Sequence, residues 1–107
     1  MTDPADVRPS AGARLRLERA WVSDDGARAR YRAAVLTPDA EFPYDLELAA
    51  DAEPQVTATA TAAPPELEAA LTMLARLTAR GVAKRVADGL APWPPSLLRW
   101  RGPGRGA

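Results

Sequence analysis

Residues 64–89 read PPELEAALTMLARLTARGVAKRVADG. Wound at about 3.6 residues per turn, Leu67, Ala70, Leu71, Leu74 and Leu77 fall on one apolar stripe, with Arg76, Arg80 and Lys84 on the opposite side. This predicts an amphipathic helix over 66–89 that needs an apolar surface to cover. Pro64 and Pro65 end the preceding segment and open the helix, while Glu66 and Glu68 sit at its positive dipole end. Gly81, inside the pattern at a cost of about 1 kcal/mol, predicts a kink or a close contact with the covered surface. Gly89, followed by Leu90 and Pro92, supplies the stop.

The first half of the chain supplies the surface to be covered. Leu15, Leu17, Arg19 and Trp21 share one parity, and Ala29, Tyr31, Ala33 and Val35 share one after Asp24-Asp25-Gly26, a hairpin signal. A two-residue turn would mix polar and apolar side chains on each face. A three-residue loop, Asp24 to Gly26 with a bulge, pairs Leu15 with Val35, Leu17 with Ala33 and Trp21 with Ala29, and sets Glu18 opposite Arg32. Thr37-Pro38-Asp39-Ala40 makes the next turn. The third strand then carries Phe42, Tyr44, Leu46 and Leu48 on one face, and pairing Val35 with Phe42 places Arg32 opposite Asp45 and Arg30 opposite Glu47. After Asp51-Ala52-Glu53-Pro54, Val56, Ala58, Ala60 and Ala62 alternate with Thr57, Thr59 and Thr61, a small-residue strand suited to a close helix. The expected fold is α+β: a four-stranded antiparallel meander with one C-terminal helix packed on one face (ββββα), a two-layer sandwich.

At 107 residues the chain is one domain. We divide it into a disordered arm at 1–12, a folded unit at 13–90 and a Pro/Trp/Arg-rich segment at 91–107. Apolar residues make up 47% of it, but 24 are alanine, so the core is small and the fold modestly stable or completed by a partner. The bias to Ala and Arg, without Ile, is that of a GC-rich genome and points to a small bacterial protein. Without cysteine or histidine, disulfides, thiolate metal sites, thiol nucleophiles and imidazole bases are excluded. The start, MTDPADVRPS, lacks a signal-peptide pattern, and no apolar run reaches the roughly 18 residues of a membrane span, so a cytoplasmic protein is expected. Charge is segregated along the chain: residues 33–68 carry eight acids and no base, whereas residues 14–32 hold six arginines against three acids.

The C-terminal segment, APWPPSLLRWRGPGRGA, favours an extended path through Pro92, Pro94 and Pro95, yet carries Trp93, Leu97, Leu98 and Trp100. That much apolar surface predicts docking of residues 93–100, either on the chain's own sheet or helix or on another protein or a second copy of the chain. Trp93, Leu97, Leu98, Trp100 and Arg101 are the candidate partner-binding residues. Nucleic acid is the alternative, with Trp100 stacking and Arg99, Arg101 and Arg105 on phosphates, although three arginines make a small electrostatic footprint.

Other candidates have plainer readings. Arg28, Arg30 and Arg32 could bind phosphates, and Asp39, Glu41, Asp45 and Glu47 could hold Mg²⁺, but cross-strand pairing occupies both rows. Arg19 interrupts an apolar parity; it stacks on Tyr31 or reaches past the sheet edge, with anion or partner binding as the alternative. The βββα order resembles the later part of a double-stranded-RNA-binding domain. That family opens its last helix with lysines, where this chain has Pro64-Pro65-Glu66-Leu67-Glu68, which would repel phosphate. The sequence therefore points to a non-enzymatic association module that uses its C-terminal segment, needs no cofactor and holds no metal, with nucleic-acid binding second.

Overall fold

The computed structural model describes residue 9 and residues 11–101. An antiparallel sheet contains β1 (Ala13–Val22), β2 (Arg28–Leu36), β3 (Glu41–Ala49), β4 (Ala52–Ala58) and β5 (Ser96–Arg101), in the order β4-β3-β2-β1-β5. A helix in two segments, α1 (Pro65–Arg80) and α2 (Val82–Ala87), follows the meander. The expected α+β two-layer architecture is present, and the C-terminal segment extends it by a fifth strand beside β1. Most of the arm drawn at 1–12, and residues 102–107, lie outside the described residues. The boundary drawn at 90 falls within the folded unit, because β5 belongs to the sheet.

Registers follow the sorting of apolar and charged side chains. Leu15 pairs with Val35, Leu17 with Ala33 and Glu18 with Arg32; Val35 pairs with Phe42, Arg32 with Asp45 and Arg30 with Glu47. Tyr31 and Leu46 are opposite each other, each 1% exposed, on the face that the helix covers. The expected Trp21–Ala29 pair does not form. An irregularity at Ala20 shifts the register, so Trp21 pairs with Arg30 and Val22 with Ala29. The bulge turns Trp21 to the outer face, where the Arg30 guanidinium lies 5.0 Å from its ring centroid. Val22 takes the inner position.

Apolar burial continues at one end of the outer face. Ala34 and Leu36 are fully buried there. Arg16 pairs with Ala34, yet its guanidinium lies 3.7 Å from Glu41 on β3 and 3.9 Å from Glu18. Its side chain therefore reaches from β1 past β2 to β3.

The helix lies over β2, β3 and β4. Its buried side chains are Leu71, Ala75, Thr78 and Ala79, with Val82 buried in α2. Small residues at the centre of the contact let the helix approach the sheet closely. The stripe is thereby rotated from the expected one: Leu67, Ala70 and Leu74 are only partly buried, and Leu77, roughly 120° round the helix from Leu71, is 55% exposed. Gly81 joins α1 to α2 with φ −80° and ψ −6°. Arg76 anchors α1 to the start of β4 through Glu53, whose carboxyl it holds below the usual carboxylate range. No helix among the described residues is long and apolar enough to cross a membrane.

Candidate functional site

The segment before β5 is fixed by polar contacts that converge from distant parts of the chain. Trp93 is fully buried, its Nε1 donating to the Gly26 carbonyl at 2.9 Å and its ring meeting Tyr31 edge-on at 6.5 Å between centroids. Tyr31 Oη donates to the Pro94 carbonyl at 2.6 Å. Arg19 donates twice, from Nη1 to the Trp93 carbonyl at 2.7 Å and from its backbone N–H to the Pro95 carbonyl at 2.9 Å. Arg19 therefore pins the chain's own last segment. Trp93 belongs to the interior, with its side chain fully buried; the hairpin end of the core, expected for Trp21, is filled by this second tryptophan.

Beyond Pro95 the chain pairs with β1: Leu97 with Leu17, Leu98 with Arg16, Arg99 with Leu15, Trp100 with Arg14 and Arg101 with Ala13. Antiparallel pairs alternate between hydrogen-bonded and non-bonded. The Arg19–Pro95 bond fixes the phase. Leu97, Arg99 and Arg101 turn their backbone polar groups to β1, and Ser96, Leu98 and Trp100 turn theirs to the outer edge, where no further strand pairs among the described residues. Arg99 Nη1 donates back to the Leu98 carbonyl at 3.0 Å, as expected for a carbonyl at the edge.

Side chains alternate as well. Leu97, Arg99 and Arg101 share the inner face with Leu17, Leu15 and Ala13, whereas Leu98 and Trp100 share the outer face with Arg16 and Arg14. The Arg14 guanidinium lies 5.9 Å from the Trp100 ring centroid, and Trp100 Nε1 is buried with no hydrogen-bond partner among the described residues. Alternation along β5 thus sets the Trp100 ring on the outer face and Arg99 and Arg101 on the inner one, although Trp100 also borders the groove that Arg99 and Arg101 line; Arg105 lies outside the described residues.

Because the helix sits over β2 to β4, a groove is left between α1 and β5. One part, of about 490 Å³, is lined by Leu15, Met73, Leu77, Arg99 and Arg101, with Glu66 at the helix start. An adjoining part of about 220 Å³ shares Leu77 and Arg99 and adds Leu97 and Arg85. Met73 and Leu77, one turn apart, are 47% and 55% exposed along the helix wall. No family model, curated protein or solved structure matches the chain. Sequence reasoning placed Leu77 in the core and passed over Met73. Giving Ala75 and Ala79 the weight of core residues would have turned both toward this groove.

The two sheet edges differ. On β4, Pro54 and a register shift between Glu47 and Ala49 interrupt pairing, as on edges protected from strand addition. β5 has no proline and pairs without a shift along its length. Its exposed side chains include Leu98, 41% exposed.

Proposed function

We infer that this protein works by association, and that edge strand β5 with the adjoining α1 groove receives an extended segment of another protein. The observation that carries this reading is the unbulged β5 edge, with the backbone groups of Ser96, Leu98 and Trp100 directed outward, in a sheet whose other edge is blunted by Pro54. Added strands gain affinity from such main-chain groups and specificity from side chains at alternate positions. Leu98 and Trp100 present apolar surface on one face of the added strand, and Leu97, Arg99 and Arg101 line the other. The partner-binding set is thus Leu97, Leu98, Trp100 and Arg101 from the sequence, joined by Arg99, Met73 and Leu77.

Leu98→Pro tests this directly. It removes an N–H that points away from β1, so it blocks strand addition and leaves the chain's own pairing intact. Peptides selected from a random displayed library on the wild-type chain should lose binding to Leu98→Pro, while urea midpoints of the two proteins stay close. Selected peptides that bind both proteins equally, or a library that yields none, would overturn the reading.

A further inference from the structure

Among the described residues the groove beside β5 carries more positive than negative charge over an apolar floor, and this defines the chemistry of the segment that would fill it. Arg99 and Arg101 project from alternate positions of the inner face, and among the described residues neither has a carboxylate within ion-pair distance. Arg85 adds a third cation where the groove meets α2, its Nε holding the Ala91 carbonyl at 2.7 Å. Against these stands Glu66, at the far end of the α1 wall. The floor and helix wall are apolar, from Leu15, Leu97, Met73 and Leu77.

We propose, building on the β5-edge reading, that the segment received there is an acidic–apolar strand, with carboxylates at alternate positions facing Arg101 and Arg99 and apolar side chains at the intervening positions. In an antiparallel added strand the residues opposite Arg101, Trp100, Arg99, Leu98 and Leu97 read acid, apolar, acid, apolar, apolar. Each carboxylate meets a cross-strand arginine, and the last apolar residue covers Leu97 under the Leu77 wall. A second copy of β5 fits less well. Pairing centred on Arg99 sets that arginine against its own copy, pairing centred on Trp100 sets Arg99 against Arg101, and pairing centred on Leu98 leaves all the arginines on one face without carboxylates.

The test uses the full chain and three capped peptides, TEVEVLT, TQVQVLT and TKVKVLT, with binding followed by fluorescence anisotropy. The acidic peptide should bind best, and the lysine peptide should bind roughly tenfold or more weakly, since two attractions become two repulsions. Added salt should weaken the acidic peptide and spare the glutamine peptide. In the double variant Arg99→Glu, Arg101→Glu the preference should reverse toward TKVKVLT, a gain that a merely damaged protein cannot show. If the three peptides bind alike and all are lost with Leu98→Pro, the acidic partner is refuted and edge pairing stands. If they bind but Leu98→Pro has no effect, the edge reading fails as well. If none binds and the chain instead forms a dimer that Leu98→Pro dissolves, a second copy is the occupant and the proposal is overturned.

Discussion

The indole Nε1 of Trp93 donates to the carbonyl of Gly26 at 2.9 Å, across 67 positions of chain. The bond ties the lead-in of the last strand to the turn of the first hairpin, so β5 is held by an anchor in the core as well as by its ladder with β1. Trp93→Phe removes the bond and part of the ring volume, and should cost about 1–3 kcal/mol. Trp93→Ala should cost about 3–5 kcal/mol, a large share of a small domain's stability. Urea unfolding of the two variants checks the order. Trp21→Phe, which alters a ring 41% exposed on the outer face, should shift the midpoint far less.

Tyr31 predicts how stability responds to alkali. Burial pushes its phenol up to about 12, against the lowering effect of the Arg19 and Arg85 charges. Below the ordinary tyrosine value near pH ~10, folded and unfolded chains both keep the proton, and the contribution is fully present. As pH rises from about 10 towards 12, the unfolded phenol ionises first and stability falls, by up to about 1.4 kcal/mol per pH unit. Tyr44 is also raised, by burial and then by its bond to Glu68, and adds in the same direction. Tyr31→Phe should therefore flatten, without abolishing, the alkaline fall in urea midpoint. In the wild-type chain, phenolate absorbance should appear together with unfolding.

What was legible in the sequence was whatever a two-state alternation could encode. Arg32 against Asp45 and Arg30 against Glu47 fix a register because a slip of one residue would exchange buried and solvated side chains. The bulge at Ala20 was not legible, since Trp21 is acceptable either in a core or stacked on Arg30, and only competition with Trp93 for the hairpin end decides between them. Arg19 was the trace of it: a charge on the apolar parity, needed there to hold the Trp93 carbonyl. β5 was hidden by composition. Pro92, Pro94 and Pro95 mask its start, and Leu97 beside Leu98 breaks the alternation, because its outer face also carries apolar side chains. The helix face was misjudged by weighting leucine over alanine, although close packing on a sheet favours Ala75 and Ala79.

The two glycines at bends should respond in opposite directions to the same change. Gly81 has an ordinary φ of −80°, and an added methyl would meet only the Leu77 carbonyl oxygen at 3.4 Å and that of Thr78 at 3.6 Å. Gly81→Ala should stabilise by about 0.4–1 kcal/mol through the unfolded chain's lost freedom. Gly26 has φ +72°, and an added methyl would approach Pro92 Cγ at 3.5 Å. Gly26→Ala should cost about 1–2 kcal/mol in backbone strain. Thermal midpoints that move the same way for both variants would contradict this account of the two bends.

The Tyr44 hydroxyl joins sheet to helix: it donates to Glu68 Oε2 at 2.6 Å and accepts the Ala63 N–H at 2.8 Å. The two halves of this relay are unequal. Ala63 is 6% exposed, so Tyr44→Phe leaves a buried N–H without an acceptor and should cost about 1–3 kcal/mol. Glu68→Gln keeps an acceptor for the hydroxyl and leaves the Ala63 bond untouched, so it should cost less than Tyr44→Phe. Amide exchange separates the variants: the Ala63 proton should exchange faster in Tyr44→Phe and stay protected in Glu68→Gln. Equal protection in both would mean that the N–H finds its acceptor elsewhere, and that the passage from β4 into α1 is held by packing of Ala63 and Leu67 alone.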